Sequence, residues 1–372
     1  MKAHAPKSVD MILLVLIVIL VVIGFFIFSS ASLGLLARSG ASFSSVAFNQ
    51  FFFGIVGGGL ALLITSNIYY RNWRQYALYI FIAGILFTLA VFIPGLGMTH
   101  AGATRWIDIG FTTIQPSEFL KIAFVIYTAS LLSGTHRQID SWRYGVLPFI
   151  GVLALIGVVM LSLPDTDTLM IMAGAGVAMF ITAGANWKHI IMLGVVGFLL
   201  LLAVAFARPY VMDRITTFLD PTSDPLGSGY QIQQSLIAVG SGGVAGRGYG
   251  QSIQKFEYLP EPIGDSIFAV YAEEFGFIGS VFLIFLLSFF TFRGFKIATQ
   301  AEDLFGMLLV VGFMTIIVSQ AFLNIAAMLG IAPLSGLPLP FISHGGTALI
   351  AIMASLGIVL NVSKYRIYDK RS

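Results

Sequence analysis

The feature that most narrows the folds open to this chain is a recurrence of long apolar runs, at residues 11–30, 48–67, 75–95, 117–133, 144–163, 168–185, 189–207, 265–290, 304–329 and 345–362. A bilayer core of roughly 30 Å asks for about 20 such residues per helix. Backbone polar groups in lipid must pair within their own segment, so runs of this length are expected as helices. Composition closes off a soluble alternative: 58% of the 372 residues are hydrophobic and 10% are charged, too little polar surface to coat a water-soluble domain. The expected fold is an all-α polytopic membrane protein with about ten transmembrane helices, a single domain over 1–372. Met11 to Phe28, preceded by Lys2 and Lys7 and followed by small Ser29 and Ala31, imitates a secretory signal. Signal cores run to ~7–15 apolar residues, so an uncleaved first helix is the better reading.

The cations set an orientation. With the N-terminus inside, the inner segments hold thirteen of them: Lys2, Lys7, Arg71, Arg74, Arg137, Arg143, Lys188, Arg293, Lys296, Lys364, Arg366, Lys370 and Arg371. The short outer loops hold Arg38 and Arg105. This bias predicts that both termini are cytoplasmic and that 208–264, between helices seven and eight, is a large extracytoplasmic loop. Its Gly-Ser-Gly-Tyr and Gly-Ser-Gly-Gly runs argue against regular structure, while Leu236 to Val239 and Phe256 to Leu259 suggest contact with the membrane face. The net charge of +3 comes from loop cations rather than a basic stripe, so no nucleic-acid partner is expected. Cysteine is absent, which excludes disulfides, thiolate zinc sites and a cysteine nucleophile. No internal repeat of the kind found in many transporters is evident.

An ionisable side chain in or near hydrocarbon costs several kcal/mol unless paired or hydrated, so the few present are candidates for function. Glu118 and Lys121, three apart on the fourth helix, can pair on one face, as a pin between helices or as substrate ligands. Glu273 and Glu274 diverge by about 100° on the eighth and are not expected to share a partner. Asp265, after Leu259-Pro260-Glu261-Pro262-Ile263-Gly264, stands at the outer mouth of that helix. It can serve as an N-cap or as a general base, worth on the order of 10²–10⁴-fold in rate.

Arg105 and Lys255 are expected at the same level, as headgroup anchors or partners of a diphosphate. Backbone amides of Gly240 to Gly250, with Arg247 among them, could form an anion nest. Leu337 to Gly346, with two prolines and two glycines, reads as a packed or re-entrant loop. His4, His100, His136, His189 and His344 are scattered without zinc-ligand spacing. No Walker motif, dinucleotide fingerprint or nucleophile elbow is present.

Taken together these segments resemble the SEDS family (shape, elongation, division and sporulation) of peptidoglycan glycosyltransferases, over nearly the whole chain. The resemblance rests on Arg105-Trp106-Ile107, Gln115-Pro116-Ser117-Glu118 with Lys121, Asp224-Pro225 with Gly227 to Gln231 and Gln234-Ser235, Tyr258-Leu259-Pro260-Glu261 with Asp265, and Gly336 to Gly346. Gln320-Ala321, Asn324-Ile325 and Gly336 to Ser343 are more similar to the division branch than to the elongation branch. The resemblance implies polymerisation of lipid II, a disaccharide-pentapeptide on undecaprenyl diphosphate, at the outer face of the bacterial cytoplasmic membrane. It implies that Asp265 is the general base, and that Arg105, Glu118, Lys121, Gln234, Ser235, Lys255, Glu261 and Ser343 bind substrate. Implied partners are a class B penicillin-binding transpeptidase and divisome membrane proteins. A magnesium or manganese ion at the diphosphate is left open. The chain departs from the family pattern at Ile263-Gly264-Asp265-Ser266, at Leu163-Pro164-Asp165-Thr166-Asp167-Thr168, and at His344, where Tyr is usual. Two rival classes remain: a flippase with Arg105, Glu118 and Lys121 lining a headgroup path, and a noncatalytic division scaffold.

Overall fold

The computed structural model describes residues 8–37, 43–100, 103–110, 112–222, 224 and 227–366. Lys2, His4, Lys7, Arg38, Pro225, Lys370 and Arg371 lie outside them. Every predicted apolar run is helical. The helices are α1 Met11–Ser32, α2 Phe43–Asn49, α3 Gly58–Asn67, α4 Asn72–Leu89, α5 Pro116–Thr135, α6 Leu147–Ser162, α7 Thr166–Thr182, α8 Trp187–Ala207, α9 Pro209–Leu219, α10 Ser228–Ser241, α11 Ile267–Thr299, α12 Leu304–Met328 and α13 Gly346–Ser363. A π-helical stretch, Gln50–Gly57, joins α2 to α3 as one span. Among the described residues nine helices are long and apolar enough to cross a membrane, and the shorter α7 supplies the tenth predicted segment.

Local sequence sets the helix starts. Asp10, Asp165 and Asp303 accept from the amides of Leu13, Thr168 and Gly306 as N-caps of α1, α7 and α12. Pro116 and Pro209 open α5 and α9, where a missing N–H leaves no helix bond unmade. The bundle is built around α12 and α13, whose most apolar stretches are 72% and 83% buried. In α8 the corresponding share is 6%.

Two features depart from the sequence expectation. A three-stranded antiparallel sheet, β1 Gly97–His100, β2 Ala103–Asp108 and β3 Thr113–Ile114, lies between α4 and α5. The segment 208–264 is also not irregular, since it contains α9 and α10. Gly-Ser-Gly-Tyr opens α10 and Gly-Ser-Gly-Gly ends it, so these glycines punctuate a helix rather than prevent one. Because the helices alternate in direction, this segment, the sheet, the α6–α7 turn, the start of α11 and residues 329–345 gather at one end of the bundle.

At that end α11 is broken. Gly276 has φ 63° and ψ −161°, which removes the helix bonds expected from Phe277 to Glu273 and from Ile278 to Glu274. The loop after α10 replaces them. Phe277 and Ile278 N–H donate to the Gly243 and Val244 carbonyls at 2.9 and 3.1 Å, while Arg247 and Gly248 N–H donate to the Glu273 and Glu274 carbonyls at 3.0 and 2.9 Å. Non-helical backbone at membrane depth is stable when protein satisfies it in this way. Gly276 and Gly246 both have positive φ, and a Cβ on either would meet the other segment's backbone. At the opposite end Asp10 ties three helices together. Arg293 of α11 donates to it at 2.6 and 2.9 Å, Arg366 beyond α13 pairs with it, and its own N–H reaches Ser363 at 2.9 Å.

Candidate active site

Asp265 lies in the turn before α11, whose N-cap is Ser266, and its side chain makes no capping bond. Instead its Oδ1 accepts from Gln231 Nε2 of α10 at 3.2 Å and from Ser266 Oγ at 3.4 Å, and Gln231 also donates to Ser266 Oγ at 3.0 Å. Oδ2 has no hydrogen bond among the described residues and is not one of the sealed polar atoms. The side chain is half-buried. Burial pushes the carboxyl up to about 6; the Gln231 bond opposes this, the negative Glu261 adds to it, and the Ser266 bond and Arg214 charge oppose it.

Backbone bonds hold this turn firmly. Three consecutive carbonyls, Ile263, Gly264 and Asp265, accept from His344 N–H at 2.7 Å, Ser343 Oγ at 2.6 Å and Asn324 Nδ2 at 2.7 Å. Ser343 Oγ also accepts from Leu339 N–H at 2.8 Å, and Asn324 donates to the Leu337 carbonyl at 2.8 Å. Gln50 clamps the far side, donating to the Ser343 carbonyl at 3.3 Å and accepting from Gly345 N–H at 3.2 Å. The 337–346 segment is thus a packed loop that fixes the position of Asp265.

The expected Glu118–Lys121 pair forms at 2.8 Å, with Lys121 also donating to Gln320 Oε1 at 3.0 Å. Gln320 passes the connection on to the Pro338 carbonyl at 2.9 Å, so the ion pair braces the loop beside Asp265. A cavity inside the bundle is lined by Glu118, Lys121, Gln320 and Ser355 with apolar neighbours. Gln234 and Ser235 share a face of α10 with Gln231; Ser235 is enclosed against Met328 Sδ at 3.4 Å, while Gln234 is half-buried. Glu261 is exposed, close enough for its charge to act on both Asp265 and His344. His344 keeps an exposed surface but stacks on Phe28 with centroids 5.9 Å apart, and desolvation by the protein packed around it holds its imidazole below the ordinary value against the pull of Glu261.

Other residues sit differently from expectation. Lys255 is fully enclosed, and its three protons go to Glu274 at 2.8 Å, the Gly250 carbonyl at 2.8 Å and Ser30 Oγ at 3.1 Å, leaving none for a diphosphate. Arg105 turns to the α6–α7 corner, donating to the Leu163 carbonyl at 3.2 Å and the Pro164 carbonyl, 3.9 Å from Asp165. Burial raises the Asp165 carboxyl, a shift the Arg105 charge opposes. In the supposed anion nest the Arg247 and Gly248 amides are taken up by the break in α11, and those of Gly242, Gly243 and Gly246 by carbonyls of their own segment. Glu273 and Glu274 do share a partner segment: Glu273 accepts from Ser252, Ile253 and Gln254, and Glu274 from Ser30, Lys255 and Ser252. The loop wraps around the helix, so side chains that diverge still meet it.

Sequence reading missed four contributors. Gln231 was detectable, because Gln231, Gln234 and Ser235 fall at i, i+3 and i+4 once the segment is read as a helix. Asn324 and Gln50 are lone amides in apolar runs, a polar signal of the same kind as Glu118. Arg214 lay in a segment expected to be irregular. Among the described residues no three His, Asp or Glu side chains converge, whereas a magnesium at a diphosphate takes one or two carboxylates together with the substrate's own oxygens. No step is derived through a metal.

Comparison with known proteins agrees with this architecture. The chain is 38% identical over 362 residues to stage V sporulation protein E of Bacillus subtilis (strain 168), covering 97% of this chain and 98% of the relative. It is 35% identical over 360 residues to a probable peptidoglycan glycosyltransferase FtsW of Geobacter sp. (strain M18), covering 96% and 97%. Among solved structures, a chain from a study of polymerization and crosslinking by a peptidoglycan synthase complex superposes with TM-score 0.79 at 26% identity, covering 96% of this chain and 98% of that one. The rod shape determining protein RodA of Thermus thermophilus shares the fold with TM-score 0.69 at 24% identity, covering 97% and 99%. The FtsW/RodA/SpoVE family model, described as cell cycle protein, matches residues 10–368. With that match over nearly all its length, the chain belongs to the FtsW/RodA/SpoVE family of cell cycle proteins.

Proposed function

We propose that this protein is a peptidoglycan glycosyltransferase that polymerises lipid II on the outer face of the cytoplasmic membrane, with Asp265 as general base. The observation that carries this reading is a carboxylate whose Oδ1 is held by Gln231 while Oδ2 remains open, on a turn fixed by three carbonyl bonds. A carboxyl raised to about 6 is ionised at neutral pH yet more basic than a free aspartate. Asp265 takes the proton from the acceptor sugar 4-hydroxyl as that oxygen bonds to the donor's anomeric carbon. The bond from that carbon to the diphosphate breaks, and the electron pair leaves with the lipid diphosphate. The cation bias of the loops supports cytoplasmic termini and an external site.

Likeness to a chain of a peptidoglycan synthase complex supports a class B penicillin-binding transpeptidase as partner. The Gln320 to Ser343 motifs and the FtsW relatives support a septal role alongside divisome proteins. The flippase reading is weakened by the closed Glu118–Lys121–Gln320 arrangement and by Arg105 facing backbone carbonyls.

Purified protein given lipid II and its cognate transpeptidase is expected to form glycan polymer, resolved by gel, and Asp265→Asn is expected to form none while remaining folded. Polymer from the Asn variant at the wild-type rate defeats the assignment of Asp265. Translocation of lipid II across liposomes with no polymer, by the wild type, replaces the enzyme with a flippase.

A further inference from the structure

A polymerase acting at Asp265 needs a positive group where the diphosphate departs, and the cations expected there are committed elsewhere. Lys255 is enclosed with all its protons bonded, Arg247 pairs with Glu273 at 3.3 Å, and Arg105 holds the α6–α7 corner. Arg208 lies in extended backbone just before α9, with Nη2 against the Leu161 carbonyl at 3.5 Å.

Arg247 and Arg208 also keep donors, so Arg214 of α9 is set apart by its place: it meets the loop that holds the Asp265 turn, and its charge acts on the Asp265 carboxyl. Its Nη1 pairs with Asp167 Oδ2 at 2.6 Å, whereas Nε and Nη2 carry no hydrogen bond among the described residues, and the side chain is 28% exposed. Asp167 divides its charge, since the same Oδ2 accepts from Gly336 N–H at 3.2 Å. That contact locates the guanidinium, because Leu337, the next residue, shares Asn324 with the Asp265 carbonyl. Connectivity therefore brings α9, the start of α7, the 336–346 loop and the Asp265 turn to one place. Electrostatics agree, for the Arg214 charge acts on the Asp265 carboxyl.

We propose that Arg214, oriented by Asp167 and Gly336, binds the diphosphate of the lipid-linked donor and stabilises it as it leaves. This rests on the reading of Asp265 as the base of a lipid II polymerase. As the bond from anomeric carbon to phosphate oxygen breaks, that oxygen gains the electron pair and a full negative charge, which the free Nε–H and Nη2–H donors are placed to receive. The proton from the acceptor hydroxyl goes to Asp265, so the two groups divide the work without sharing a proton.

The test uses the full chain in nanodiscs with undecaprenyl diphosphate and, separately, undecaprenyl monophosphate as probes, binding being read by native mass spectrometry. Wild type is expected to prefer the diphosphate. Arg214→Gln is expected to weaken diphosphate binding by about 10-fold or more, the usual scale for a lost charged hydrogen-bond donor, and to erase the preference. Arg214→Lys, which keeps the charge without the planar fork, is expected to fall between, and Lys188→Gln at the opposite end to bind as wild type. Thermal unfolding of each variant reports folding. Diphosphate binding by folded Arg214→Gln within twofold of wild type overturns the proposal, as does an Arg214→Lys variant no better than Arg214→Gln. Binding that depends on Arg214 in a wild type that makes no polymer supports the diphosphate site and defeats the polymerase reading, so the two failures are distinguishable.

Discussion

Asp265→Asn should stabilise the protein while stopping its chemistry. Burial lifts the carboxyl from its ordinary 3.8 to about 6, so the folded chain holds that proton about 2 units more tightly than the unfolded chain. Each unit is worth ~1.4 kcal/mol, which puts a ceiling of about 3 kcal/mol on the cost of the ionised acid at neutral pH. The side chain is half-buried with Oδ2 open, and solvent screening reduces the figure to about 1–2 kcal/mol. Below pH 3.8 both states are protonated and the penalty is absent; as pH rises from 3.8 to about 6 stability falls, and above that it stays at the lower level. Asn removes the charge and retains an oxygen for Gln231. The variant should therefore unfold about 1–3 °C higher than wild type at pH 7.5, measured by intrinsic fluorescence in detergent, with the gap closing toward pH 4. Equal unfolding temperatures at pH 7.5, or a gap that does not change with pH, would refute the argument that burial strains this acid.

Gln231→Ala removes a bond that favours the ionised carboxylate, so the Asp265 carboxyl should rise further and the acid limb of polymer formation should move to higher pH. A reduced rate with an unmoved limb would show that Gln231 serves another role. Asp10→Ala removes the carboxylate that Arg293 and Arg366 share and should cost about 3–5 kcal/mol, read as a large drop in unfolding temperature. Burial tends to raise the Asp10 carboxyl, but the Arg293 and Leu13 bonds with the Arg366 and Arg293 charges outweigh it and hold it below the ordinary value. The clasp's contribution is present above pH 3.8 and lost as pH falls through the lower folded value, so acid should narrow the difference between Asp10→Ala and wild type; a difference independent of pH down to 3 would contradict this.

Much of the molecule was legible in the residues alone, for reasons that are local. Apolar runs of membrane-crossing length must be helices whatever they pack against, so all ten appeared where hydropathy placed them. Glu118 and Lys121, at i and i+3, could meet on one helix without knowledge of any other. Asp265 stood out because a carboxylate at a membrane boundary is expensive and demands an account.

What a side chain does once several segments converge was decided only by the tertiary structure. Lys255 and Arg214 are both cations in the long loop, and no spacing rule separates them. Folding sealed Lys255 against Glu274 and Ser30, from segments 19 and 225 positions away, and left Arg214 with unoccupied donors near Asp265. The segment after α10 read as an anion nest because its backbone amides have no partner visible in sequence; Gly242, Gly243 and Gly246 donate within their own segment, and it took the break at Gly276 to free the Glu273 and Glu274 carbonyls for the Arg247 and Gly248 amides. Hydropathy and helical spacing are sums over neighbours in the chain, whereas the availability of a charge depends on partners brought close by packing, which neighbours in sequence do not encode.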